Sequence, residues 1–279
     1  MARKTAGKNV ERACGLAPAL AAPLAFALAA SLAASLASAQ DSAPPEAPPP
    51  LSPACEAPAG DIAAPASLPH FAKALRERKT ARILAIGSSS TSGVGASSDA
   101  KSYPAQLEAI LEGALKGVDV VVANRGVSGE VAAVTSERIR SEVALEKPDL
   151  ALWQLGTNDA LVRIAPEDFE NTVRSTIRWL KQNQIDVVLV GLQYSSRFSR
   201  DEEYFAIRNV LQRVASAENV AYVRRYDAMR FIAQNHANLQ MMARDNFHLN
   251  DLGYQCMAEH IARAVIVGVF VKRGRPSAN

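Results

Sequence analysis

The sequence has 279 residues, 31 Lys and Arg against 28 Asp and Glu, and 48% apolar side chains, which is ample for one core. The formal charge of +3 belongs to the first 39 residues, which hold four basic and one acidic side chain; the rest is balanced at 27 of each. With no long Lys/Arg run and no recognisable nucleic-acid motif, nucleic acid is not an expected partner.

Arg3, Lys4, Lys8 and Arg12 form a basic head. An uncharged, alanine-rich run from Gly15 follows and ends in Ala37-Ser38-Ala39, a small-x-small site suited to signal peptidase. The run is long enough to span a bilayer, but alanine contributes little to insertion and outnumbers leucine. We therefore read residues 1–39 as a cleaved signal peptide rather than a retained anchor. No stable membrane span is expected after cleavage, and the processed chain is expected to be exported, either periplasmic or secreted. Residues 40–69 are rich in Pro, Ala and Ser, including Pro48-Pro49-Pro50, and predict a disordered tether. Two readings of Cys55 and Cys256 stand: a disulfide joining the tether to the last helix, or a buried thiol at Cys256 and an incidental Cys55.

The folded domain is expected over residues 70–279. A short helix at 71–78 leads into a strand at 81–87, whose run Ile83-Leu84-Ala85-Ile86 breaks into Gly87-Ser88-Ser89-Ser90-Thr91-Ser92-Gly93. Pro104 stands near the start of a helix with Leu107, Ile110, Leu111 and Leu115 on one face. Strands follow at 118–123, 150–155, 185–190 and 220–223, separated by helices near 133–145, along the Phe169/Val173/Ile177/Leu180 face, and at 202–217. Asn250 caps a final helix that turns Met257, Ile261 and Val265 inward. This alternation predicts a three-layer α/β/α sandwich around a mostly parallel five-stranded, flavodoxin-like sheet.

Four strand-end or pre-helix segments carry unusual polar residues: the Gly87–Gly93 loop, Asn124–Glu130, Gly156-Thr157-Asn158-Asp159, and Asp245-Asn246-Phe247-His248. A serine needs a base to act as nucleophile, and histidine serves near neutral pH. The histidine needs an acceptor to orient it, and Asp245 lies three residues before His248. An oxyanion needs fixed donors such as exposed N–H groups near a glycine or an asparagine amide. No Cys/His cluster has zinc spacing, and the glycines of the first loop do not match the Gly-x-Gly-x-x-Gly fingerprint, so no metal or other cofactor is expected.

In this order the four segments resemble the blocks of the SGNH (GDSL-type) hydrolase superfamily over about residues 81–265. The resemblance selects Ser89 from three consecutive serines as nucleophile, with His248 as base and Asp245 orienting it. It implies an oxyanion hole from the Ser89 and Gly129 N–H groups and the Asn158 amide. Ser88 departs from the pattern by standing where the family usually has aspartate. The resemblance implies a serine esterase releasing short acyl groups, acetyl above all, from carbohydrate or other small esters. Three alternatives stand: a lysophospholipase or thioesterase acting on longer chains, a glycan-binding protein with little turnover, and a transacylase.

Overall fold

The computed structural model describes residues 48–270, so the signal-peptide reading of residues 1–39 lies outside the described residues. Its centre is a six-stranded sheet in the order β1-β6-β5-β4-β2-β3. The strands are β1 (Ala63–Ala64), β2 (Thr80–Gly87), β3 (Asp119–Gly126), β4 (Leu150–Gln154), β5 (Asp186–Val190) and β6 (Ala221–Val223). The last five are mutually parallel and correspond to the five expected from sequence, while β1 adds an antiparallel edge on β6.

Alternation along each strand feeds two cores. Ile83, Ala85, Leu150, Leu152, Val188 and Val190 face one layer, with α2 (Pro69–Glu77), α4 (Tyr103–Ala114) and α10 (Asp251–Phe270) packed on it. Leu84, Ile86, Ala151, Trp153, Val187 and Leu189 face the other, covered by α5 (Ala132–Glu146), α7 (Pro166–Gln182) and α8 (Glu202–Ala217). Both faces are therefore dry, which is why the central strands read as unbroken apolar runs.

The tether expectation is corrected from residue 51 onward. Ser52 donates from its N–H and hydroxyl to the Glu259 carboxylate at 2.8 and 2.9 Å. Cys55 is bonded to Cys256, and the Cys55 carbonyl lies 2.7 Å from His260 Nε2. A short helix, α1 (Ala59–Ile62), leads into β1, and Leu68 N–H reaches the Gly268 carbonyl at 3.0 Å. The segment is held by single contacts to residues some 200 positions away, which its proline-rich composition does not reveal. The domain therefore begins near residue 51 rather than 70, and the sheet has six strands rather than five. His260 is buried by the same strap.

The chain passes from β2 to β3 on one side and then to β4 on the other side of β2. Outside the carboxyl ends of these strands lies the switch point where open α/β sheets form a crevice. Among the described residues no helix is long and apolar enough to cross a membrane.

Candidate active site

The Gly87–Gly93 segment turns directly from β2 into α3 (Ser89–Ser92), a single helical turn. Gly87 passes so close to β4 that a Cβ there would lie 2.4 Å from the Gln154 carbonyl oxygen. Gly93, at φ +93°, ends the turn and returns its N–H to the Ser89 carbonyl at 3.0 Å. This turn sorts the three serines. Ser88 and Ser90 are buried, and Ser89 alone is partly exposed. Ser88 donates from both its N–H and its hydroxyl to Gln154 Oε1 at 3.0 Å, and Thr91 Oγ1 donates to the same oxygen at 3.2 Å.

The segment before α10 forms a tight loop closed by an Ala243 N–H bond to the His248 carbonyl at 2.8 Å. Asp245 Oδ1 accepts the N–H groups of Phe247 and His248, each at 2.9 Å, and Oδ2 lies 2.6 Å from His248 Nδ1. The His248 hydrogen bond, followed by the Phe247 N–H, holds the Asp245 carboxyl down to about 2. With Nδ1 donating to Asp245, Nε2 is left as an acceptor, and it stands 3.1 Å from Ser89 Oγ. Ser89, His248 and Asp245 are thus brought into one hydrogen-bonded line. Gly95, in the loop after α3, abuts His248 and Leu249 and presses the two segments together.

The oxyanion candidates come from the next two strands. Gly129 has φ +85°, and its N–H, like that of Ser89, has no acceptor among the described residues. The loop that carries it is fixed by the Glu130 carboxylate, which accepts from Arg138 Nε and Nη2 at 2.7 and 2.8 Å and from Thr135 Oγ1 at 2.9 Å. Asn158 lies in α6 (Thr157–Leu161) and donates one amide hydrogen to the Glu130 carbonyl at 2.8 Å, leaving its second available. Asp159 accepts from the N–H groups of Ala132 and Gly156 at 2.8 and 3.2 Å, fastening this loop to α5. Burial raises the Asp159 carboxyl, and those backbone bonds pull the other way.

Gln154, Gln193 and Arg225 are three buried polar residues that tie these loops together, and sequence reasoning missed Gln154 and Arg225. A glutamine at the end of an apolar strand was the only available signal for Gln154. Among the described residues, no group of three or more His, Cys, Asp or Glu side chains could hold a metal ion. A nucleophile, a base with a fixed tautomer, and convergent donors make an arrangement capable of acyl transfer without one.

The model of the non-GDSL lipase-like family matches residues 54–270. Esterase TesA of Pseudomonas aeruginosa is 31% identical over 109 residues, covering 39% of this chain and 53% of that protein. An arylesterase of Vibrio mimicus is 28% identical over 134 residues, covering 46% and 65%. The matched regions thus span between about half and two thirds of these curated relatives. A two-domain esterase active on acetylated mannans superposes with a TM-score of 0.67 at 16% identity, over 80% of this chain and 60% of that one. At that identity the likeness is one of fold.

Proposed function

The chain belongs to the non-GDSL lipase-like family, and from that premise we propose that it is an exported serine esterase releasing short acyl groups, acetyl first, from carbohydrate or other small esters. The observation that carries the reading is the Ser89–His248–Asp245 line, at 3.1 and 2.6 Å. Ser89 attacks the ester carbonyl while His248 Nε2 takes its proton. Asp245 keeps the imidazole oriented and stabilises its charged form. The tetrahedral oxyanion lies among the Ser89 and Gly129 N–H groups and the free amide hydrogen of Asn158. His248 then returns the proton to the leaving alkoxide, and water repeats the sequence on the acyl-enzyme.

Two features support the finer parts of this reading. A cleft of about 500 Å³ beside α3 is lined by Ser92, Asp99, Ser102, Glu108 and Asn124, whose hydroxyl, carboxylate and amide groups suit sugar hydroxyls. The Cys55–Cys256 bond needs an oxidising compartment, which supports export. The longer-chain reading has its own support in Val94, Val127 and Val162, all exposed. Their N–H groups bond the carbonyls of Ser89, Gly87 and Asn158, so each is tied through its backbone to a loop of the site.

Hydrolysis of p-nitrophenyl esters of increasing chain length, with acetylated mannan as the first polysaccharide, tests the proposal. Turnover falling with chain length and abolished in Ser89→Ala is the expected result. Asn158→Ala should lower kcat by about 100–1,000-fold. Activity surviving in Ser89→Ala would reject the triad, and turnover rising with chain length would replace the short-acyl reading with the longer-chain one.

A further inference from the structure

Arg225 is the first residue of α9 (Arg225–Asn235) and is only 2% exposed. Its Nη2 donates to Ser90 Oγ at 3.1 Å and to Gln193 Oε1 at 3.0 Å. Gln193, in the loop after β5 and 1% exposed, donates from its own amide to the Phe247 carbonyl at 2.9 Å. Ser90 follows the nucleophile and Phe247 precedes the base. The route Ser90–Arg225–Gln193–Phe247 therefore runs beneath the Ser89–His248 pair and bridges the two loops that carry it. Gln193 is itself fixed by Tyr204, whose hydroxyl donates to the Gln193 carbonyl at 2.6 Å.

Arg225 is costly to keep. Among the described residues its Nε and Nη1 are buried without a partner. Among the described residues no carboxylate forms an ion pair with it, and the nearby Asp227 carboxylate is taken by Arg208 Nη2 at 2.6 and 2.7 Å. The other titratable groups that act on it are the phenols of Tyr254, Tyr204 and Tyr103. A buried, uncompensated guanidinium is destabilising, and an apolar side chain of similar volume would serve the core better. Of its two good hydrogen bonds, one goes to Ser90 beside the nucleophile and the other to Gln193, which bonds the Phe247 carbonyl beside the base.

We propose that Arg225 and Gln193 are positioning residues, forming a buried strut that sets the separation of Ser89 and His248 through Ser90 and Phe247. The strut rests on the triad reading given above. Neither residue touches substrate, so its effect falls on kcat and on the reactivity of Ser89.

Gln193→Glu separates this role from simple stabilisation. The carboxylate gives Arg225 a counter-ion but loses the donor to Phe247 and sets an oxygen against its carbonyl. In the full chain, the urea midpoint should be no lower than wild type. With p-nitrophenyl acetate, kcat should fall about 10–100-fold, with KM within about threefold. Phosphonylation of Ser89 by a p-nitrophenyl phosphonate should slow in parallel. Arg225→Met should show the same kinetic pattern with lower stability; if it does not fold, Gln193→Glu decides alone. Unchanged kcat and phosphonylation in folded Gln193→Glu, or a loss confined to KM, would overturn the strut. A wild-type protein that the phosphonate fails to label on Ser89 would instead overturn the triad reading, and the strut with it.

Discussion

Gly126, the last residue of β3, pairs with Gly87 and lies directly against α3. A Cβ at this position would lie 2.1 Å from the Ser92 backbone nitrogen and 2.5 Å from the Thr91 carbonyl carbon. Its φ lies outside the left-handed region, so Gly126→Ala meets a contact problem rather than a dihedral one. Restoring ordinary contact at 3.4 Å requires the backbones to part by about 1.3 Å. β3 is paired with β2 over eight residues, whereas α3 is one turn, so α3 is the softer partner and gives way. Ser89 moves with it, out of its 3.1 Å contact with His248. A displacement of this size should lower kcat about 100-fold and stability by about 1–3 kcal/mol. Gly113→Ala is the control, because in the last turn of α4 its Cβ meets nothing within 4 Å. It should leave kcat alone and raise stability by about 0.5–1 kcal/mol. Ester turnover and urea unfolding of both variants make the comparison. A Gly126→Ala protein with wild-type kcat would refute the idea that this contact seats the nucleophile.

Reducing the Cys55–Cys256 bond, which closes a loop of 201 residues, should cost about 3–5 kcal/mol. Urea midpoints with and without dithiothreitol should differ for wild type and coincide for the Cys55→Ser/Cys256→Ser protein. Gln154→Leu removes the acceptor shared by the Ser88 N–H, the Ser88 hydroxyl and Thr91 Oγ1. Leaving the buried Ser88 N–H unpaired should cost about 1–3 kcal/mol, and an unchanged urea midpoint would show that the turn finds another acceptor. The Asp245 carboxyl is depressed from 3.8 to about 2, so its stabilisation is present above 3.8 and is lost as pH falls toward 2. Because the side chain is 47% exposed, screening limits the contribution to about 1 kcal/mol. The stability gap between wild type and Asp245→Asn should therefore close between pH 4 and pH 2, and a constant gap would refute the assignment.

The parallel strands were legible because burial on both faces leaves each as an apolar run, and the turns after β2 and β4 were legible because glycine punctuates them. Ser89, Gly129, Asn158, Asp245 and His248 were singled out by the resemblance of four ordered segments to a family's blocks, and the fold places Ser89, His248 and Asp245 within hydrogen-bond reach of one another. What was not legible depends on partners far away in sequence. β1 pairs with a strand about 160 residues later, and Ser52 and Cys55 are held by α10. Arg225 and Gln193 carry no periodic signal at all. The second of two adjacent arginines, opening a helix, reads as solvent-facing until the fold places it under Ser90.

Ser88 shows how a departure from a family pattern can be absorbed. The turn out of β2 buries the Ser88 N–H, and a buried N–H requires an acceptor. Here the acceptor comes from the neighbouring strand as Gln154 Oε1, which also takes the Ser88 hydroxyl. A carboxylate at residue 88 would be buried beside that same oxygen, adding a charge and removing the hydroxyl, one of the three donors that converge on it. The two positions are therefore physically coupled: a serine at 88 works because residue 154 is a glutamine. Replacing Ser88 with aspartate alone sets two acceptors against each other. The missing aspartate thus leaves no gap in the turn that presents Ser89, because the acceptor is supplied by β4 instead of by the loop itself.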